Sequence, residues 1–211
     1  MHDAQWLIHN VVMTRLDQLA QQWAPATAIL GGLAWIAYTM AALLQPWGSY
    51  ATYGAPQGAP TISNIPAFLF TSLLGGLALL VLGSALAGTA RRMGLPAQLP
   101  GRFGMALGLV GGATGLVMAA AAFMLHMTLA AAAMNAGAIM VAVGALLLAS
   151  DGAGQRLAMP LFIVGALGVT AIFAAALVSL ATWMLPVYAA LVMAVYGFAW
   201  VRLGDILGKT R

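Results

Sequence analysis

The eight basic residues of this 211-residue chain are confined to alternate gaps between long apolar runs. Arg15 precedes the first run. Arg91, Arg92 and Arg102 lie between the second and third, Arg156 between the fourth and fifth, and Arg202, Lys209 and Arg211 after the sixth. The connections after the first, third and fifth runs hold no charge of either sign. In multi-pass proteins an excess of Lys and Arg marks the cytoplasmic loops. The alternation therefore predicts an all-α integral membrane protein of the bacterial cytoplasmic (inner) membrane. Its fold class is a six-transmembrane-helix bundle with both termini in the cytoplasm.

Only 6% of the residues are charged, against roughly 25% in a soluble domain. Such a chain cannot cover a water-facing surface, so the lipid bilayer is its first partner. The net charge of +4 is spread over short segments with no dense patch. It is the loop bias of a membrane protein, and nucleic acid is not an expected partner. The absence of cysteine excludes disulfides, thiolate chemistry and Cys-type metal sites.

The spans are expected at about Ala26–Leu44, Ala67–Gly88, Phe103–Leu125, Thr128–Ala149, Met159–Ala181 and Trp183–Val201. Each is near the ~20 residues that cross a hydrocarbon core. Ahead of them, Ile8, Val12, Leu16, Leu19 and Trp23 recur at spacings of three and four. Asn10, Arg15, Asp17, Gln18, Gln21 and Gln22 take the other face. This predicts an N-terminal amphipathic interfacial helix on the cytoplasmic leaflet, with Pro25 allowing a turn into the membrane. Residues 1–23 lack the continuous apolar core of a secretory signal. The expected division is 1–23 for this helix, 24–203 for the transmembrane domain and 204–211 for a cytoplasmic tail.

The third span carries Gly104, Gly108, Gly111, Gly112 and Gly115 as a small-residue stripe. In lipid, helices associate by close backbone approach, and such a stripe is a helix-packing interface. It serves packing within the chain, or self-association and contact with other membrane-protein subunits through the third helix. Gly76 and Gly83 in the second span match Gly137 and Gly144 in the fourth, which suggests a weak repeat of helical hairpins.

No charged residue lies within a span, which argues against proton relays, pumps and carboxylate catalysis. No serine has a His/Asp partner pattern, so no enzyme activity is expected. His126 sits at the outer mouth of the third and fourth helices; a methionine such as Met124, Met127 or Met184 could join it as a haem ligand, but no second bundle histidine supports a bis-His site. No cofactor or metal is expected. The loop 45–66 is uncharged, with four prolines and Trp47, Tyr50 and Tyr53. It reads as an interfacial loop or as a lid over an outward cavity. Candidate ligand contacts for such a cavity are His126, Asn135 and Trp183, although a lone intramembrane Asn more often hydrogen-bonds to another helix.

Four places resemble an uncharacterised family of bacterial six-helix membrane proteins, domain of unknown function 998. They are Tyr53 with Pro60-Thr61-Ile62-Ser63, Arg91-Arg92, His126, and Trp200-Val201-Arg202-Leu203. The resemblance covers roughly residues 26–203. The family's acidic residue after Ile-Ser is replaced by Asn64-Ile65. What the resemblance implies is the six-helix fold and topology, and no activity. Two readings of function follow from the residues. One is a non-enzymatic accessory or structural subunit of a membrane assembly. The alternative is a carrier, channel or binding protein for a neutral or lipidic small molecule.

Overall fold

A computed structural model describes residues 2–44, 64–94, 98–152, 154–178 and 185–210. The described chain is helical throughout: α1 (His2–Leu44), α2 (Ile65–Arg92), α3 (Leu99–Phe123), α4 (Met127–Asp151), α5 (Ala158–Val178) and α6 (Leu185–Lys209). Each helix packs against its neighbours in sequence, α6 closes back onto α1, and α2 also touches α4. Five helical segments are long and apolar enough to cross a membrane, and a shorter apolar stretch, Ala158–Ala174, lies in α5. The outer faces carry Phe70, Phe103, Leu116, Phe173 and Phe198, each 60–67% exposed. Water would not tolerate so much contiguous apolar surface, whereas lipid does.

Packing follows from small residues. On α1 the inward stripe is Ala24, Ala28, Gly31, Gly32, Trp35 and Thr39, a helical spacing that turns Trp23, Leu30, Leu33 and Met40 outward. α3 lies between α2 and α4, and all five stripe glycines are buried in those two contacts. A Cβ on Gly76 would come within 2.6 Å of the Gly115 carbonyl oxygen, and one on Gly83 would strike the Gly108 carbonyl. On the other flank, Gly104 faces the Gly144 carbonyl and Gly111 the Gly137 carbonyl, each at 2.8 Å from such an atom. The seven-residue glycine pairs of α2 and α4 thus flank the one stripe on α3. What α3 offers to the outside is bulky: Phe103, Leu109, Val110, Leu116 and Phe123.

The junctions are set by local chemistry. Asn64 caps α2, its side chain accepting from Ala67 N–H at 3.1 Å. Arg91 and Arg92 occupy the last turn of α2, where cations complement the helix dipole. Between α3 and α4, Leu125 adopts φ 55° and lets the amides of Leu125 and His126 bond back to Ala122 and Ala121.

The turn expected at Pro25 is absent. α1 runs from His2 through Pro25 without a break. Gln21 lies level with the last turn of α2. The helix therefore continues past the end of α2 for about 24 Å at 1.5 Å per residue. α6 also extends to Lys209, so most of the expected tail is helical. The loop 45–63, with Trp47, Tyr50 and Tyr53, and Trp183 lie outside the described residues.

Candidate functional site

Proline lacks the N–H that would bond to the carbonyl four residues earlier, so Pro25 leaves the Gln21 carbonyl without its helical donor. An arginine takes that place. Arg92 donates from Nε to the Gln21 carbonyl at 2.7 Å and from Nη1 to the Leu207 carbonyl at 2.6 Å. Leu207 is in the last turn of α6, where carbonyls have no intrahelical partner. Gln21 Nε2 donates in turn to the Arg91 carbonyl at the end of α2, at 3.4 Å. One guanidinium and one carboxamide thus tie α1, α2 and α6 together at the end of the bundle that carries the arginines.

Beside this knot lies a pocket of about 620 Å³. α1 supplies Gln18, Gln21 and Gln22, which share one face at spacings of three and four. α2 and its cap supply Arg92 and Met93, the α4–α5 connection Gln155, Arg156 and Leu157, and the end of α6 Thr210. Two successive turns shape that connection, with Gln155 N–H bonding to the Gly152 carbonyl and Ala158 N–H to the Gln155 carbonyl. Gly154 lies in the first of them at φ 91°, a conformation that glycine adopts without strain. Leu157 is buried, whereas Gln155 and Arg156 are exposed. Arg156 makes no hydrogen bond or ion pair among the described residues. Among the described side chains, no carboxylate lines the pocket.

The residues singled out in the sequence lie elsewhere. His126 is the N-cap of α4 at the opposite end, exposed, with Nδ1 3.3 Å from the Thr128 hydroxyl. Asn135 is exposed on the α4 face that also carries Ala132 and Ile139. It makes no hydrogen bond across to another helix of this chain among the described residues. The pocket does not include either residue. Among the described residues, no three His, Cys, Asp or Glu side chains come together as a metal site would require.

Aromatic rings fill the contact between α1 and α6. Trp35 meets Tyr196 edge-on at 5.2 Å, Tyr196 meets Trp200 at 6.3 Å, and the Trp35 indole donates to the Met193 carbonyl at 3.1 Å. The Tyr196 hydroxyl and Trp200 Nε1 are buried without a hydrogen-bond partner among the described residues.

The glutamines and Arg156 were present in the sequence as a polar helix face and a polar turn. The missed signal is the offset of four between Gln21 and Pro25, which announces a carbonyl in need of a donor. Comparison with family models, curated proteins and solved structures finds no match to this chain.

Proposed function

We propose that the chain is a non-enzymatic multi-pass protein of the bacterial inner membrane, an accessory or structural subunit of a membrane assembly. In this reading α5 also crosses the membrane, which brings the spans to six, and the arginine-rich end lies in the cytoplasm, as the sidedness of the Lys and Arg residues indicates. The observation that carries it is the closeness of the helices: backbones meet at Gly76–Gly115, Gly83–Gly108 and Gly104–Gly144, and aromatic rings fill the contact between α1 and α6. A bundle closed in this way suits a rigid scaffold better than a transport path. The likeness to the domain of unknown function 998 family supplies no activity to add.

Partner subunits would meet the outer faces rather than the glycine stripe, which is occupied by α2 and α4. Native mass spectrometry of the protein extracted gently from its own membrane tests the reading. A stoichiometric protein partner is expected; a lone monomer in every extraction contradicts it. The alternative, an outward site for a neutral or lipidic molecule at His126 and Asn135, has its support in the exposure of both side chains. It requires that His126→Ala and Asn135→Leu change uptake or retention of that molecule.

A further inference from the structure

We propose that the pocket at the arginine-rich end binds a phosphate-bearing ligand with a hydroxylated organic part. The described lining holds the Arg156 guanidinium, four carboxamides and the Thr210 hydroxyl beside the already bonded Arg92, with Met93 and Leu157 as apolar walls. Guanidinium groups match phosphate oxygens in geometry as well as charge. Carboxamides both donate to oxygen and accept from hydroxyl groups. Neither Asp151 nor Asp205 is in the lining, and Asp205 is held on the outside of α6 by Arg202 and Lys209.

The backbone is arranged to accept an anion there. The ends of α2 and α6 converge on the pocket, and bare carbonyls would repel negative charge. Two of those carbonyls are engaged: that of Leu207 by Arg92 and Thr210, and that of Arg91 by Gln21 and Gly94 N–H. Arg156 and Leu157 lie immediately before the first turn of α5, whose N-terminus favours anions. Size refines the ligand class. About 620 Å³ exceeds what phosphate alone fills and falls within the range of organic ligand sites. Two sources offer this chemistry, a soluble phosphate ester and the headgroup of an anionic phospholipid such as phosphatidylglycerol.

The test uses the full chain in nanodiscs. In phosphatidylcholine discs, titration with glycerol 3-phosphate is followed by thermal denaturation, with glycerol and chloride as controls. In a parallel arm, discs containing equal parts phosphatidylglycerol and phosphatidylcholine are analysed by native mass spectrometry for retained lipid. Arg156→Gln removes an exposed side chain with no described partner, so the fold is retained. It is expected to weaken binding tenfold or more in whichever arm binds. Arg202→Gln, at the same end but outside the pocket, is expected to change it less than twofold. Stabilisation by glycerol 3-phosphate identifies a soluble ester; selective retention of phosphatidylglycerol identifies a lipid headgroup; either supports the site. Binding in neither arm, or equal weakening by Arg156→Gln and Arg202→Gln, overturns it.

Discussion

Arg92→Met tests whether the arginine replaces the hydrogen bond that Pro25 cannot make. Among the bonds the change removes are those to the Gln21 carbonyl at 2.7 Å and the Leu207 carbonyl at 2.6 Å. A hydrogen bond to a charged group contributes about 1.5–3 kcal/mol. Both sites are part-buried and the Leu207 carbonyl also accepts from Thr210, so the lower end applies to each. The expected loss is about 3 kcal/mol for the pair. Pro25→Ala supplies an N–H directed at the Gln21 carbonyl. In that background the carbonyl stays bonded when the arginine is lost, and Arg92→Met should cost only about 1.5 kcal/mol. Any other contact of Arg92 is lost in both backgrounds and cancels in the double-mutant cycle. The four proteins are compared by reversible unfolding in mixed micelles. A coupling near 1.5 kcal/mol is expected, and one within ~0.5 kcal/mol of zero refutes the reasoning.

Further substitutions probe the packing. Gly76→Ala places a methyl group against the Gly115 backbone and should destabilise the bundle by about 1–3 kcal/mol, whereas Gly208→Ala, with nothing within 4 Å, should be neutral or stabilising by up to ~1 kcal/mol. Equal effects at the two sites in the same unfolding assay would show that α2 and α3 do not meet there. Tyr196→Phe removes a buried hydroxyl without a described partner and should leave the melting temperature unchanged or raised. A loss above ~1 kcal/mol would mean that the hydroxyl is satisfied in the membrane.

Much of the architecture was legible because lipid imposes so few solutions. Apolar runs near 20 residues must be helices, and the glycine stripe on α3 had to face close neighbours. The break at Pro25 was misread because a helix-breaking residue is tolerated when a distant group satisfies the freed carbonyl. That group, Arg92, is 71 residues away in sequence from Gln21. The direction of Asn135 was hidden for a different reason. α4 is apolar on every side, rich in Ala, Gly and Met, so periodicity gives no inside or outside. The pocket was not legible as a unit either. Its residues come from four separate segments, and only the antiparallel packing of α1 with α2 and α6 brings Gln21, Arg92 and Thr210 to one end.

Sidedness carries the whole account, because it decides which compartment the pocket faces. The chain has no cysteine, so single cysteines can be placed without background. Thr128 and Gln155 are both exposed and lie at opposite ends of the bundle. Labelling of Thr128→Cys and Gln155→Cys with a membrane-impermeant maleimide, in intact cells and in inverted vesicles, reads the topology directly. The account predicts that Thr128→Cys reacts in intact cells and Gln155→Cys only in inverted vesicles. Reaction of Gln155→Cys in intact cells, or of both positions from the same side, would contradict it.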